Sequence, residues 1–273
     1  MINSLKKIKR KSIFLIIIVI CLVSMSIASM KRYENKLLNT NSTLSNKKIG
    51  WGIKRQDNHE QPDVGSNNQK MLQDNNGICL GNKENKNIYL TFDMGYEAGY
   101  TETILNALKD NNVQATFFIT AHYLNTAGDL VKRMIDEGHI IGNHTVNHKS
   151  MPGLSDEEIK KEVMTLHQSL FDKFGYEMKY MRPPCGEFSE RTLALTNSLG
   201  YKTVMWSFAY VDWEENKQPS HEKAMSTIMN NLHNGEIMLL HATSKTNGEI
   251  MNELLQKIKD EGYEIKSLDD FTM

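Results

Sequence analysis

The sequence predicts an α/β fold of parallel strands, occupying residues 88–270 of a 273-residue chain. Two features predict it. Short runs rich in β-branched and aromatic residues alternate strictly with longer stretches of helical periodicity. The residues able to do chemistry fall just after those runs, where strands end and loops begin. Strict alternation implies right-handed crossovers between parallel strands, which build either a doubly wound sheet or a barrel. In both, chemistry gathers at the carboxyl ends of the strands.

The N-terminus has a different character. Residues 1–11 are a basic tail with Lys6, Lys7, Lys9, Arg10 and Lys11 and no acid. Residues 12–30, "SIFLIIIVICLVSMSIASM", carry no charge, and Lys31 and Arg32 follow. A run of that length spans a bilayer as one helix. The basic tail would hold its own side in the cytoplasm and face the rest of the chain outward. The alternative is a cleaved signal peptide, since Ser26-Ile27-Ala28 resembles a small-residue cleavage site. One reading gives a single-pass cell-membrane protein with its domain outside the cytoplasm, the other a secreted one.

Seven of the 32 Lys and Arg residues precede residue 33, together with none of the 33 acids, so the remainder carries a formal net charge of −8. Such a chain lacks the basic footprint of a nucleic-acid binder. Cys21 falls in the uncharged run, leaving Cys79 and Cys185. Two thiols make no disulfide framework, although one bridge between them is open.

Residues 31–87 read as a polar spacer, "NKLLNTNSTLSNKK", and an N-terminal extension whose "IGWGIKR" and "MLQDNNGICLG" would lie against the domain. Beyond it "NIYLTF" is a strand and 101–112 a helix, with Thr101 available as N-cap. "VQATFFIT" is a strand, 128–139 a helix stopped at Gly138, and "IIG" a strand. The next helix opens with a capping box, Ser155 to Glu158, and closes on Gly175. "KYMRPP" is extended, "SERTLALTNSLG" helical and "YKTVMWSF" a strand. A helix from "HEKAMSTIM", the strand "EIMLLHA", the helix "GEIMNELLQKIKDEG" and a final "YEIKSL" complete the chain.

Five strand ends then deliver polar residues to one rim: Asp93, "NHTVNH" (143–148), "RPPCG" (182–186), "VDW" (211–213) and His241. An isolated His-x-x-x-His is weak evidence for a metal, because surface and capping histidines are commoner. On a rim shared with an acid and a third histidine, His144 and His148 become candidate ligands of a divalent ion that acidifies water and polarises a carbonyl. Asp93 and His241 fit the base and acid such hydrolysis needs. Arg182 would hold Asp93 ionised and aimed, and Asp212 would fix the tautomer of His241. A metalloprotease is disfavoured, since no His-Glu-x-x-His occurs.

Together these residues resemble the polysaccharide deacetylases of the NodB-homology type, carbohydrate esterase family 4. Five motifs appear in order, "TFDM", "HTVNH", "RPPCG", "VDW" and "LLHA". The resemblance implies a distorted (β/α) barrel, preceded here by the N-terminal membrane segment. It implies removal of N-acetyl groups from cell-wall or chitin-like sugars with a divalent metal, zinc first and manganese or cobalt as alternatives. Carried over by position, Asp93 is the base, His241 the acid, His144 and His148 the metal ligands, with Arg182 and Asp212 tuning the pair. The backbone N–H of Cys185 would hold the oxyanion, while Trp213 and Leu239 would line the acetyl pocket. Two departures stand out. Met94 replaces an aspartate ligand, which leaves a coordination position to water, and Ala209 replaces an acid or amide. "TFDMGYEAGYT" with "IGWGIKR" upstream further resembles the N-acetylmuramic acid deacetylases that build the muramic δ-lactam of spore cortex. In that case the partners are peptidoglycan glycan strands and, functionally, an N-acetylmuramoyl-L-alanine amidase. Tyr96 and Glu97 would either read the sugar or shape the loop. The alternatives are an N-acetylglucosamine deacetylase of peptidoglycan or chitin, and a non-catalytic module that binds cell-wall glycan.

Overall fold

In the computed structural model, which describes residues 44–273, the alternation is realised as a curled parallel sheet wrapped by helices. The basic tail, the uncharged run 12–30 and most of the spacer lie outside the described residues. Among the described residues no helix is long and apolar enough to cross a membrane. The main sheet comprises β2 (Asn87–Met94), β3 (Thr116–Ile119), β4 (Ile140–Asn143), β5 (Tyr180–Met181), β7 (Lys202–Thr203), β8 (Glu236–His241) and β9 (Glu264–Ile265). Their spatial order is β7-β5-β4-β3-β2-β8, with β9 beside the start of β2, and every pairing is parallel. A separate antiparallel pair joins β1 (Ile49–Gly50) to β6 (Glu187–Phe188).

The helices are α1 (Ser66–Asp74), α2 (Thr101–Asp110), α3 (Ala121–Thr126), α4 (Gly128–Asp136), α5 (Asp156–Phe174), α6 (Glu190–Ser198), α7 (His221–Met229) and α8 (Lys245–Asp260). The capping box at Ser155 forms as read, and Gly175 ends α5 in the left-handed conformation that favours glycine. Two local readings change. Thr101 is the first residue of α2 rather than its cap, because the Glu97 carboxylate accepts from the Thr101 hydroxyl and, at 2.6 Å, from the Gly99 N–H. "YKTVMWSF" is not one strand. The chain leaves the sheet after Thr203, and residues 204–208 span the gap through single bridges, Val204 to Ile78 and Phe208 to Met238. The barrel is therefore incompletely closed.

Period-two alternation sorts the strand residues into two layers. Leu90, Phe92 and Met94 of β2, Phe117 of β3, Ile141 of β4 and Leu240 of β8 join the helices in the outer core. Tyr89, Phe118, Ile140, Tyr180, Val204 and Ile237 fill the interior. The extension adds a third cluster, in which Trp51, Val64 and Leu72 pack on Phe188, Leu193 and Met205. Ser45–Met273 form one compact unit.

Glycine at 142 has a steric reason. It is the register partner of Phe118, and a Cβ at 142 would lie 2.4 Å from that ring. The Phe118 ring in turn carries the Arg182 guanidinium, 4.3 Å from its centroid. Gly142→Ala should therefore displace Phe118 and cost about 1–3 kcal/mol by overpacking. Thermal unfolding should show a midpoint lower by about 2–4 °C per kcal/mol, and an unchanged midpoint would refute this account.

Candidate active site

Parallel register brings the first two groups together. Asp93 near the end of β2 is the direct partner of His241 at the end of β8. Alternation turns the carboxylate inward, and there Arg182 Nη1 donates to its Oδ1 at 2.8 Å. Burial disfavours a charged carboxylate, but the Arg182 guanidinium and the neighbouring imidazoles outweigh it and hold the Asp93 pKa below its usual value. Arg182 itself has no solvent exposure; its Nε donates to the Val204 carbonyl at 3.0 Å.

His241 is held from behind. Its Nδ1 lies 2.7 Å from Asp212 Oδ1, and its backbone N–H donates to Asp212 Oδ2 at 2.8 Å. Burial works against the imidazolium, yet the Asp212 carboxylate, with Asp93 behind it, raises the His241 pKa above 6.5. Nε2 is thereby the proton-carrying face toward the cleft. Asn247 at the start of α8 fixes Asp212 in turn, donating to Oδ2 at 2.6 Å, and the Tyr210 hydroxyl donates to Asn247.

The two remaining histidines face each other. His144 Nδ1 is 2.8 Å from the Arg182 carbonyl oxygen, which only accepts, so Nδ1 carries the proton and Nε2 keeps its lone pair. Burial pushes the His144 pKa down to about 4 and lowers that of His148 as well, so both rings stay neutral at pH 7. Their Nε2 atoms are 3.1 Å apart, and Asp93 Oδ2 lies 3.6 Å from His144 Nε2. Nitrogens about 2.0–2.1 Å from one tetrahedral zinc stand about 3.3 Å apart, so the pair has the spacing of two ligands on one cation. Residues 145–148 make this turn through left-handed Thr145 and His148, while the buried Glu162 carboxylate receives the Asn147 N–H and side chain, each at 2.7 Å. Among the described residues no group of three or more His, Cys, Asp or Glu side chains is arranged to hold an ion. Met94 does not reach this rim. Following inward Asp93, it points outward and packs in the outer core at 1% exposure.

These groups open onto a cleft of about 1520 Å³, larger than the ~300–1,000 Å³ usual for small ligands. Cys185, Trp213, Leu239 and Tyr96 all line it. Cys185 occupies a left-handed turn (φ 57°), and Gly186 beside it leaves room for Trp206 and Trp51. Cys79 and Cys185 are both free thiols, so the bridge left open by the sequence does not form. Burial, followed by the Glu187 carboxylate, raises the Cys185 pKa, which disfavours a thiolate nucleophile. The Trp213 ring lies edge-on to His241 at 5.5 Å. Tyr96 donates its hydroxyl to Glu215. Of the two roles open to Glu97, its contacts perform the loop-shaping one, since the Tyr123 hydroxyl also donates to it at 3.0 Å. The sequence reading missed Asn247, Tyr210 and Glu162; a polar residue in a helix, or a tyrosine in a loop, carries no signal of what it holds in place.

A family model, polysaccharide deacetylase, matches residues 80–204. The peptidoglycan-N-acetylmuramic acid deacetylase PdaA of Bacillus subtilis is 41% identical over 226 residues, covering 82% of this chain and 86% of PdaA. A peptidoglycan-N-acetylglucosamine deacetylase, PgdA of Listeria monocytogenes, is 32% identical over 69% of this chain and 39% of its own length. The solved structure of Bacillus subtilis PdaA, a family 4 carbohydrate esterase, superposes with a TM-score of 0.81 over 84% of this chain and 98% of that one. The chain belongs to the polysaccharide deacetylases of carbohydrate esterase family 4.

Proposed function

We propose that this enzyme hydrolyses the N-acetyl group of N-acetylmuramic acid in peptidoglycan, outside the cytoplasm, with Asp93 as base and His241 as acid. One observation carries the chemistry: register partners Asp93 and His241 flank the facing imidazoles at one rim, each backed by its own counter-charge. Likeness to PdaA across most of both chains supports the muramic substrate, and with it a role in forming the spore-cortex δ-lactam downstream of an amidase. The uncharged run 12–30 would hold the enzyme at the membrane or direct its secretion.

His144 and His148 fit a divalent cation: both are neutral, and the His144 lone pair is aimed by the Arg182 carbonyl. When bound, zinc, manganese or cobalt would supply Lewis acidity toward the acetamide carbonyl and the attacking water. Asp93, ionised and immobilised by Arg182, takes the proton of that water. The Cys185 N–H donates to the oxygen on which negative charge develops, an interaction worth most in the tetrahedral state. His241 Nε2 then protonates the departing amine, and Leu239 and Trp213 shelter the methyl. The freed amine is positioned to close on the lactyl carboxyl once the peptide is gone.

Acetate release from peptide-stripped glycan strands, compared with N-acetylglucosamine oligomers, tests the whole reading. Asp93→Asn should lower kcat by about two to four decades on the stripped strands. Turnover at the wild-type level in that variant, or release from the glucosamine oligomers alone, would end it. Metal analysis should find about one zinc-class ion per chain, lost in His144→Gln together with His148→Gln. Retention of a full equivalent would remove the histidines from that role. The His241 pKa sets the alkaline limb: activity needs the imidazolium and falls as pH rises through a value above 6.5. Asp212→Asn removes the charge that raises this pKa, so the limb should move toward acid. A limb that stays in place would show that His241 is not the acid.

A further inference from the structure

The cleft carries a charge pattern that amide hydrolysis of a neutral sugar does not require. Asp93 is the only carboxylate among its lining residues, and Arg182 already pairs with it. Two full cations also line it, Arg55 and Lys223, both exposed. Among the described residues neither has a carboxylate within the 4.0 Å of an ion pair. Residues 33–273 together carry a net charge of −8. A cation-rich cleft on an acidic chain is a local feature that needs a local reason.

Arg55 is built into place. Its Nη2 donates to the Ala209 carbonyl at 2.7 Å, and its guanidinium lies 5.4 Å from the centroid of the Phe208 ring. That hydrogen bond uses one of the five donors of a guanidinium. Alanine at 209 contributes no side-chain charge that would neutralise it. Phe208 is tied to β8, since its carbonyl accepts from the Leu239 N–H at 2.8 Å, two residues before His241. The extension that presents Arg55 is anchored by Trp51, whose N–H donates to the Gly186 carbonyl at 2.9 Å and whose indole donates to the Trp206 carbonyl at 2.8 Å. Lys54 and Asp63 bridge on its far side. The guanidinium thus lines the cleft beside Phe208 on a braced segment.

We infer that Arg55, assisted by Lys223, binds the free lactyl carboxylate of a muramic residue whose peptide has been removed, so that the cleft selects an anionic sugar. The inference rests on the muramic reading above. N-acetylglucosamine has no carboxylate, and in intact peptidoglycan the lactyl carboxyl is tied up in an amide. A planar guanidinium engages a carboxylate through two parallel hydrogen bonds, a fit that neither neutral form offers.

The test uses the full chain and two preparations of the same peptide-stripped strands, one with free carboxylates and one with them converted to neutral methyl amides. The wild type should favour the free-carboxylate strands by about ten- to a hundredfold in kcat/KM, the range of one charged hydrogen-bonded contact. Arg55→Met should bring that ratio toward one, chiefly through KM, and Arg55→Lys should restore part of it. A smaller fall in the ratio is expected for Lys223→Met. Equal wild-type turnover of the two preparations would overturn the inference while leaving muramic deacetylation intact. So would an Arg55→Met variant weakened by the same factor on both, the signature of a merely structural side chain. Acetate release from N-acetylglucosamine oligomers but from neither strand preparation would instead overturn the muramic reading itself.

Discussion

The buried ion pair between Arg182 and Asp93 is the interaction on which the rest of the site depends. A guanidinium with no solvent exposure is tolerated only where its charge is met, and removing one partner of such a pair costs about 3–5 kcal/mol. The arrangement around it follows from that requirement. Phe118 and Trp206 supply aromatic faces to the cation, 4.3 and 5.6 Å from Cζ, and Gly142 leaves the space that Phe118 occupies. The backbone of the same arginine reaches the second half of the site. Its N–H donates to the Asn143 carbonyl at 3.0 Å, and its own carbonyl sets the tautomer of His144. One residue therefore bears on both the charge state of the proposed base and the lone pair of a candidate ligand.

Much of this was legible because a parallel α/β sheet obeys a positional rule. Strand ends share a rim, so Asp93, His144, Arg182 and His241 could be gathered before any distance was known. Side chains whose duty is to hold another side chain are harder to find. Asn247 falls just before the helix read from "GEIMNELLQKIKDEG", within the first turn of the observed α8, and nothing in its neighbours distinguishes a buried amide from a solvated one. Arg55 ends the upstream "IGWGIKR" stretch, far in sequence from the five strand-end motifs, and the pairing of β1 with β6 helps bring that stretch to the cleft. The break after Thr203 was hidden for a related reason. An apolar run reads as a strand whether its backbone partners form a ladder or, as at Val204 and Phe208, single bridges.

Met94 shows how strand geometry assigns a side chain to one face. Its place next to Asp93 suggested a ligand position gone vacant. Successive residues of a strand point to opposite faces, however, and β2 needs a large apolar residue beside Leu90 and Phe92 against the helices. The thioether serves the outer core, so the side chain at 94 neither occupies nor obstructs the space before the imidazoles. Whatever the histidines bind, its remaining coordination comes from groups other than this residue.

The deeper asymmetry lies between the two groups proposed as base and acid. Asp93 is buried, yet a fixed cation lowers its pKa; the His241 side chain retains 21% exposure, and an anion behind it raises its pKa and so favours the imidazolium. A base that is empty and an acid that is loaded at the same pH are what hydrolysis of an amide requires. Nearby groups ordinarily oppose such a division, since a carboxylate and an imidazolium side by side can pass the proton between them and lose both roles. Here each has its own counter-charge, Arg182 for Asp93 and Asp212 for His241. The two environments push the pKa values apart, down for Asp93 and up for His241, the pattern expected of a base and an acid in one site. Arg182 follows β5 and Asp212 lies in the loop before α7, so the two charge environments are set by separate parts of the chain.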